Sequence, residues 1–446
     1  MTKHRALRIP VQKGRPGWNA ILGDLPPPRH LEEDANADFV VVGAGFAGLA
    51  AARRLTQLAP GARIAILEAG RIAEGAAGRN SGFMIDLPHN LPGSEEMAGR
   101  GERELISLNR QAQDFAEAAV EEYGIDPNFF DRAGKMNGAG DSAGHAANER
   151  EKAHLDTIGE PSEMLDAGQM AEVTGSAYYR SGLYTPGTVM LQPAGFIRGM
   201  AAGLVRAGVS VFEESPATEF KRQGSGLIVS TPKGAVQAGK VILAVNGHLE
   251  SFGFARGRLM HLFLFGAMTP ELSASQLRQA GGQSRWGITP ADHMGATVRR
   301  IDRGQGGNRI LIRATVALRS GMVPKASDLA RATHGMQARF DARFPSLAGM
   351  SFEHVWAGHA CLSRNGVAVM REIDEGVFSA CVQNGLGAAR GTLTGMGAAE
   401  LACSESSAIT KRFTAEDEPA RLPPQPFREI GMNAVLRWRE WMARKA

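Results

Sequence analysis

One segment near the amino end limits the possible folds more than any other part of the chain. A β-branched apolar run at residues 37–42 leads into Gly43-Ala-Gly45-Phe-Ala-Gly48, and an apolar helical pattern follows. Gly43 permits a tight turn from strand to helix, Gly45 lets backbone approach a phosphate, and Gly48 lets the helix lie close to the sheet. The segment therefore predicts a βαβ unit with an anion site at the amino end of its helix.

An acidic residue completes this unit. A second apolar strand is predicted at residues 62–67, and Glu68 follows it directly. Glu68 lies about 20 residues after Gly48, the spacing at which a carboxylate accepts hydrogen bonds from both ribose hydroxyls of a dinucleotide. Because strand, helix and acid are in register, the segment predicts a bound dinucleotide. The alternative is a glycine-rich turn that binds no ligand.

The composition indicates a globular protein and argues against nucleic-acid binding. The chain has 446 residues, 43% of them hydrophobic and 22% charged, which predicts about two closely joined domains. The net charge is only +4, and the charges are interspersed, so the sequence predicts no basic patch for a phosphate backbone. Aromatic residues make up 6% of the chain, too few to predict stacking platforms for bases.

The cysteines and the amino terminus indicate the cellular compartment of the protein. Cys361, Cys381 and Cys403 form no C-x-x-C pair, so neither a disulfide framework nor a zinc site is expected. No spacing of His, Asp and Glu predicts a metal. The basic amino terminus lacks the apolar core of a signal peptide, and no apolar run reaches about 18 residues. These features predict a cytoplasmic protein without a membrane span.

The pattern along the chain predicts an α/β protein of mixed architecture. Residues 1–36 are predicted to form an irregular arm because glycine and proline interrupt them. Helices are predicted over about 94–124, 146–158 and 166–174, and alternating segments over 258–370 predict an antiparallel sheet. A second strand, glycine turn and helix are predicted over 377–402, so the nucleotide-binding sheet is split across both chain ends.

Further motifs follow the first unit in a fixed order. They are the small-residue loop at 75–82, Ala244-Val-Asn-Gly247, Trp356-Ala-Gly358 and Asn384-Gly-Leu-Gly387. Together with the 43–48 turn and Glu68, they resemble the FAD-dependent oxidoreductases of the D-amino-acid oxidase and glycine oxidase superfamily. Within it the chain is most similar to the γ-glutamylputrescine oxidase-like branch. The resemblance extends from Trp18 to about Ala402.

This resemblance implies a division into domains. A Rossmann-like FAD-binding domain would comprise residues 37–95, 183–250 and 370–405, and a mostly antiparallel substrate domain residues 96–182 and 251–369. Residues 406–446 would form a carboxy-terminal extension. The implied FAD-binding residues are Gly43, Gly45, Phe46, Ala47, Gly48, Glu68, Ala69, Arg71, Gly78, Arg79, Asn80, Ser81, Gly82, Ala217, Asn246, Gly247, Trp356, Asn384, Gly385, Leu386 and Gly387.

The resemblance implies a specific role for several of these residues, and Arg71 has an alternative one. Arg71 would cover the adenine or reach a phosphate, or be an ordinary surface arginine. The loop at 78–82 would offer backbone and side-chain donors to the isoalloxazine, and the backbone at Ala217 would lie near the adenine. The FAD is expected to be non-covalent, because Gly358 stands where related enzymes attach flavin through cysteine. No histidine occurs in residues 70–82.

The segment after Trp356 bears on the substrate. In glycine and D-amino-acid oxidases it reads W-x-G-L-R-P, and its arginine binds the substrate α-carboxylate. An ungapped comparison places Ala360 at that arginine, which disfavours a free α-amino acid bound in the usual way. The candidate catalytic residues are His359, His261 and Arg299. The alternatives are histidines hydrogen-bonded within the sheet and an arginine in solvent; Arg313 and His248 are weaker candidates.

The implied reaction is oxidation of an amine. Hydride would pass from the carbon bearing nitrogen to flavin N5, and water would hydrolyse the imine. One alternative is an oxidase or dehydrogenase for N-methyl or D-amino acids, with Arg299 holding the carboxylate. Another is an FAD-containing subunit that relays electrons within a larger complex. Oxygen or an electron carrier would reoxidise the flavin, and the sequence predicts no oligomeric state.

Overall fold

The computed structural model describes residues 3–88 and 100–443. The strands are β1 (Lys3–Arg5), β2 (Ala35–Val42), β3 (Ile64–Leu67), β4 (Phe83–Met84), β5 (Phe130–Asp131), β6 (Lys135–Ala139), β7 (Glu163–Asp166), β8 (Ser181–Thr185), β9 (Val189–Leu191), β10 (Ser210–Phe212), β11 (Glu219–Gln223), β12 (Gly226–Ser230), β13 (Ala235–Leu243), β14 (Leu259–Met268), β15 (Trp286–Pro290), β16 (Thr297–Ile301), β17 (Arg309–Leu318), β18 (His354–Ser363), β19 (Val369–Asp374) and β20 (Val377–Cys381).

The helices are α1 (Gly17–Ala20), α2 (Phe46–Leu58), α3 (Arg100–Tyr123), α4 (Ser142–Ile158), α5 (Ala167–Thr174), α6 (Pro193–Arg206), α7 (Ala274–Ala280), α8 (Ala326–Arg343), α9 (Ala389–Ala402), α10 (Ala408–Thr414) and α11 (Phe427–Met442). The helix predicted from residue 94 begins outside the described residues, as does the predicted domain boundary between 95 and 96. Within residues 3–88 and 100–443, no helix is long and apolar enough to cross a bilayer.

The first sheet joins strands from both ends of the chain. Its order is β1-β11-β12-β13-β2-β3-β10, with β20 pairing β13 and β19 pairing β20. The strands β10, β3, β2, β13 and β20 run parallel. β2 and β20 are each followed by a glycine turn and a helix, so the predicted split nucleotide-binding sheet is confirmed. Ligands of such sheets bind at the carboxyl ends of the strands.

The second sheet has the order β18-β14-β17-β16-β15-β6-β8-β7. Its pairings are antiparallel except for β15 with β6, which agrees with the predicted antiparallel substrate domain. A small third sheet has the order β4-β9-β5. The predicted domain boundary at residue 183 falls within β8, and β8 pairs with β6 and β7 in the second sheet.

The second sheet has two faces with different neighbours, because successive side chains on a strand point to opposite sides. Met268, Leu311 and Trp356 pack with the helices of the first sheet; we call this the inner face. Phe265 and Ala314 pack with side chains of α8; we call this the outer face. Cross-strand partners share a face, so the strand register assigns each remaining residue of β14, β17 and β18.

The amino-terminal arm is more ordered than its composition predicts. β1 pairs with β11 at the edge of the first sheet, and the ring of His4 stacks on Phe220 at 4.8 Å and on Phe254 at 4.5 Å. Trp18 in α1 is fully buried. Glycine and proline prevent long elements here, but the aromatic anchors still fix the arm to the rest of the chain.

The carboxy-terminal extension covers an open sheet edge. β16 pairs with β17 only as far as Arg313, so later amides of β17 need other acceptors. Glu440 accepts from the N–H of Val316 at 2.6 Å, and Asn433 accepts from the N–H of Leu318 at 3.0 Å. Helix α11 therefore substitutes for a missing strand at this edge. The predicted extension also includes residues 444–446, which lie outside the described part.

Candidate flavin and substrate site

The first glycine turn has the geometry that its sequence predicts. Gly43 has a φ of +102°, a conformation that favours glycine. A Cβ at Gly48 would overlap the carbonyl oxygen of Gly43, whereas a Cβ at Gly45 would have only Ala77 within 4 Å, at 3.6 Å. The backbone is thus tightly packed at Gly48, whereas there is open space beside Gly45. Helix α2 begins at Phe46, so its free amides point into the open space.

Glu68 lies beside this turn with both carboxylate oxygens engaged. Oε2 accepts from the N–H of Ala44 at 2.8 Å, and Oε1 accepts from the N–H of Gly70 at 3.0 Å. Burial raises the pKa of Glu68 against the opposing effect of these backbone donors. Glu68 nevertheless keeps some accessible surface. A deep carboxylate that needs further donors fits the predicted ribose.

The segment after β10 runs beside Glu68. Ser215 donates its N–H to the Glu68 carbonyl at 2.8 Å, and Glu214 donates to the Gly70 carbonyl at 2.9 Å. This contact brings the chain that leads to Ala217 close to Glu68 and Ala69, as expected for an adenine neighbour. Arg71 does not keep its guanidinium free.

The Arg71 side chain is used within the protein. Its Nε donates to Glu213 at 2.5 Å, and its Nη2 donates to the carbonyl of Pro26 at 2.5 Å. The guanidinium therefore joins the arm to the segment after β10. These two bonds hold the Arg71 side chain within the protein, and the predicted contact with adenine or phosphate stays a prediction.

The loop at 78–82 is fixed by its own side chains. Arg79 is only 6% exposed and donates to the carbonyls of Glu74 at 2.6 Å, Gly14 at 2.9 Å and Ala357 at 3.1 Å. Burial lowers the pKa of Arg79 to about 10, so it stays charged at neutral pH. Its Nε and Nη1 thus serve as an internal brace between the loop, the arm and β18.

Two indoles and an amide complete this brace. Trp356 donates to the carbonyl of Arg79 at 3.0 Å, and Trp18 donates to the carbonyl of Asn80 at 2.8 Å. The Asn80 side chain donates to Ala77 at 2.5 Å and accepts from the N–H of Gly82 at 2.7 Å. Arg79 and Asn80 thus use several of their side-chain donors within the protein, and Ser81 and the backbone offer further donors for a ligand.

The second glycine turn meets the first. Asn384 and Gly385 have φ values of +51° and +85°, and a Cβ at Gly387 would meet nothing within 4 Å. Helix α9 starts at Ala389. A Cβ at Gly395 in α9 would overlap the carbonyl oxygen of Ala47 in α2, so the two helices cross in close contact. Leu386 lies within this turn.

The side chain of Asn384 is structural. It accepts from the N–H of Ser363 at 2.8 Å and donates to the carbonyls of Gly366 and Val367, each at 2.9 Å. Asn246 has a φ of +47° and accepts from the N–H of Gln383 at 3.3 Å. These amides hold the turn against β18 and β13, so the Asn384 side chain is engaged within the protein and its predicted cofactor contact would be made by backbone.

The inner face of the second sheet lies between the loop at 78–82 and this turn. Trp356, Gly358 and Ala360 alternate along the inner face of β18. A Cβ at Gly358 would lie 3.3 Å from the carbonyl oxygen of Arg79, and a Cβ at Gly385 would lie 4.0 Å from Leu362. Both predicted flavin-contacting segments therefore border one surface, and residues of that surface are the candidates for substrate contact.

This surface is apolar around Ala360. Apolar side chains from β14, β17, β18 and α11, together with Met294, form one cluster: Met260, Leu262, Leu264, Met294, Val316, Leu318, Ala360, Leu362, Met432 and Leu436. Ala360 itself keeps some accessible surface. The place of the α-carboxylate clamp therefore holds neither a guanidinium nor another cation.

The predicted catalytic histidines lie on the other face. His359 pairs with Phe263 and His261 with Cys361, and Phe263 packs with the outer-face core. His359 lies next to Ala360 in sequence, yet strand alternation points the two side chains to opposite faces. His359 and His261 are therefore separated from the apolar inner surface by the sheet.

The outer-face histidines form a hydrogen-bonded chain. Nε2 of His359 lies 3.3 Å from Nδ1 of His261, whose Nε2 lies 2.6 Å from Oε2 of Glu250. Burial lowers the pKa of His359 well below its usual range, with neighbouring His248 and His261 adding to the effect. A Cβ at Gly247 would lie 2.9 Å from both His359 and His261. These histidines support the backbone at Gly247.

Arg299 is also structural. It is fully buried and donates from Nη1 to the carbonyls of Leu191 at 2.6 Å and Gly82 at 2.8 Å, and from Nη2 to Gln305 at 3.0 Å. Burial lowers its pKa to about 9. Both terminal nitrogens of Arg299 are therefore engaged within the protein, and only its buried Nε is without a partner in the described residues. This arrangement disfavours the alternative in which Arg299 holds a substrate carboxylate.

Sequence reasoning missed two parts of the site. Trp18 fixes Asn80, and its signal in the sequence is that residues 1–36 contain no other Phe, Tyr or Trp. Met432 and Leu436 of α11 complete the apolar surface, although the extension was given no role. In the described ranges no cluster of three or more His, Cys, Asp or Glu is arranged to hold a metal.

The comparisons with known proteins agree with this geometry. The family model for FAD dependent oxidoreductase (DAO) matches residues 38–401. A Rhizobium meliloti protein named probable oxidoreductase OrdL is 24% identical over 412 residues, covering 90% of this chain and 91% of the relative. The gamma-glutamylputrescine oxidoreductase of Escherichia coli is 28% identical over 222 residues, covering 49% of this chain and 51% of the relative.

Solved structures show the same fold. The glycine oxidase of Geobacillus kaustophilus matches with a TM-score of 0.68 and 20% identity, covering 87% of this chain and 100% of that chain. The family match spans both glycine turns, Glu68 and the second sheet. The chain therefore belongs to the family of FAD dependent oxidoreductases.

Proposed function

We propose that this FAD-dependent oxidoreductase oxidises an amine whose reacting carbon carries no carboxylate. One observation carries the proposal: Ala360, which the ungapped comparison aligns with the clamp arginine, lies within an apolar cluster on the inner face. A carboxylate bound there would lose its hydration without gaining a cation. Such an unpaired ion costs several kcal/mol, so a glycine-like substrate in the usual orientation is disfavoured.

The apolar surface also limits the form in which the amine reacts. FAD supplies the chemistry of accepting a hydride from the carbon next to nitrogen. The chain supplies Leu264, Ala360 and Leu362, which exclude water and favour an alkyl group over an ion. A neutral amine would therefore bind better than its ammonium form. His359 and His261 take no part in this step, since they lie beyond the sheet.

The relatives are compatible with this substrate class. The Escherichia coli relative is named for gamma-glutamylputrescine, which is an amine derivative of putrescine. The glycine oxidase neighbour acts, by its name, on an amino acid, but its 20% identity supports only the fold. The absence of a cation at Ala360 is what favours the amine over the amino acid for this chain.

Anaerobic reduction of the flavin in the purified holoenzyme tests the proposal. The panel is an n-alkylamine, an N-methylated amine, a γ-glutamyl amine, glycine, sarcosine and D-alanine. We expect faster bleaching with an amine that lacks an adjacent carboxylate. Fastest bleaching with glycine, sarcosine or D-alanine would overturn the proposal. No bleaching by any compound, together with a partner that copurifies stoichiometrically, would support an electron-relaying subunit instead.

Ala360→Arg gives a second test. The new guanidinium would enter the apolar cluster, so flavin reduction by the preferred amine should slow by about tenfold or more, since overpacking and an unpaired charge both oppose binding. Ala360→Met adds volume without charge and serves as the matched control. A larger loss in the methionine variant than in the arginine variant would show that bulk, not charge, decides the effect.

A further inference from the structure

One arginine on the inner face has no hydrogen-bond or ion-pair partner within residues 3–88 and 100–443. Arg313 lies in β17 opposite Gly266 of β14 and opposite Thr297 of β16. Its sequence neighbours Ile312 and Ala314 pack in the outer-face core, so Arg313 points to the inner side, as strand alternation requires. It therefore shares its face with Trp356, Gly358 and Ala360.

Arg313 differs from the other deeply placed arginines of this region. Arg299 and Arg79 donate to carbonyl groups, whereas Arg313 has no hydrogen bond or ion pair with any residue in the described ranges. Burial lowers its pKa, and no carboxylate opposes that effect. Arg313 still keeps accessible surface. A deep guanidinium that is open to solvent and lacks a countercharge is the arrangement expected of an anion-binding group.

The cross-strand neighbours of Arg313 have a short side chain or none. Gly266 has no side chain, and the ring of Trp356 covers it, since a Cβ at Gly266 would lie 2.8 Å from that ring. Thr297, on the other side, is a small residue. The guanidinium therefore lies between a threonine and the position that the indole covers, and a planar carboxylate that reaches its accessible part can accept two parallel hydrogen bonds.

We infer that Arg313 binds a carboxylate that the amine substrate carries away from its reacting carbon. The inference rests on the proposed function and narrows its substrate class. Along β18, Trp356 and Ala360 are four residues apart, about 13 Å, and β17 lies about 10 Å from β18 across two strand spacings. The anion site at Arg313 is thus distinct from the clamp position at Ala360. The substrate class is an amine with a remote carboxylate.

Two substrates of equal length, one with a carboxylate and one without, separate the effect of the carboxylate from that of the alkyl chain. We would compare 6-aminohexanoate with hexylamine in the wild-type holoenzyme, Arg313→Met and Arg313→Lys. The wild-type enzyme should prefer 6-aminohexanoate in kcat/KM. Arg313→Met should lower kcat/KM for 6-aminohexanoate by about 10- to 100-fold, the effect of losing a hydrogen bond to a charged group. Hexylamine should change by less than about threefold, and lysine should restore part of the loss.

Arg300→Met is the matched control. Arg300 lies on β16 and donates to the carbonyl of Gly281. Because its neighbour Arg299 points to the inner face, Arg300 points to the outer face. The Arg300→Met substitution therefore removes a guanidinium from the outer face of the same sheet. This variant should keep the preference for 6-aminohexanoate. Loss of the preference in Arg300→Met would show that sheet stability, not Arg313, sets it.

Binding of hexanoate gives a readout that does not depend on turnover. Hexanoate should perturb the flavin absorption spectrum and raise the melting temperature of the wild-type enzyme, and do neither in Arg313→Met. Equal loss with both amines, or an altered flavin spectrum in ligand-free Arg313→Met, would overturn the inference and place Arg313 against the cofactor. If glycine alone reduces the flavin, the proposed function fails, and hexanoate binding still decides the role of Arg313.

Discussion

Replacing Glu68 by glutamine tests the cofactor site most directly. A carboxylate has about four acceptor positions on two oxygens. The N–H groups of Ala44 and Gly70 occupy two of them, which leaves two for the two ribose hydroxyls. A glutamine amide has a single acceptor oxygen, and its NH₂ would face one of these backbone donors. Glu68→Gln should therefore disturb both the turn and the ribose contact.

The expected loss follows from the hydrogen bonds. Each hydrogen bond to a charged group contributes about 1.5–3 kcal/mol, and each neutral one about 0.5–1.5 kcal/mol. Replacing two charge-assisted bonds by one neutral bond should cost about 1.5–5.5 kcal/mol of FAD binding. This corresponds to a dissociation constant raised by about 10-fold at least and up to about 10,000-fold.

The pH dependence has a defined sign. Burial raises the pKa of Glu68 above its usual 4.5, whereas ribose donors favour the ionised form. FAD affinity should therefore fall as the pH drops through the raised pKa, by up to about tenfold per pH unit. The folding stability of the apoprotein should change in the opposite direction and fall as the pH rises above 4.5. The reason is that the folded apoprotein holds the Glu68 proton more tightly than the unfolded chain does.

Fluorescence quenching of FAD on titration with apoprotein, from pH 5 to 8, measures both effects. Glu214→Gln is the control, because its side chain is 48% exposed and lies in the segment beside Glu68. Wild type and Glu214→Gln should share one pH profile, and Glu68→Gln should bind weakly with no pH dependence. An unchanged dissociation constant in Glu68→Gln would refute the ribose assignment.

Three further outcomes are expected. Acid precipitation should leave a colourless pellet and yellow supernatant, because Gly358 offers no thiol and Cys361 points to the outer face; a yellow pellet would contradict this. Desolvation, with nearby His261 and Arg8, lowers the pKa of His248 from 6.5 to about 4, so stability should fall by about 3 kcal/mol as the pH drops across this window. Urea unfolding should show a smaller fall in His248→Gln. Arg299→Lys should lower the free energy of unfolding by about 1–3 kcal/mol, because it leaves a carbonyl unpaired, and should not raise KM. A raised KM at unchanged stability would restore the hypothesis that Arg299 binds a substrate carboxylate.

The parts of the fold that sequence predicts well are local. The Gly43 turn, Glu68 and the second turn at Asn384 each follow from a short motif whose backbone requirements are specific. Their pairing in one sheet follows from the resemblance, and β13 and β20 confirm it. The amino-terminal arm was less predictable, because β1 depends on an edge strand more than 200 residues away.

Side-chain partners were the least predictable part of the site. Arg71, Arg79 and Arg299 carry the charge expected of ligand-binding residues, yet carbonyls and Glu213 use their donors. These acceptors come from distant segments, such as the carbonyl of Leu191 for Arg299. A sequence shows which guanidinium groups exist but not which carbonyls reach them, so it cannot separate braces from ligand contacts.

Strand alternation gives the reason why the clamp position and its neighbour have different roles. His359 follows Gly358 and precedes Ala360, yet it points to the outer face and pairs with Phe263. No change of rotamer brings it through the sheet, so a histidine beside the lost clamp cannot replace it. A compensating cation carried by this sheet has to stand at an inner-face position. Arg313 meets that condition, and its place within the apolar run Ile310-Leu-Ile-Arg-Ala-Thr-Val316 is the sequence signal that agrees with the inferred anion site.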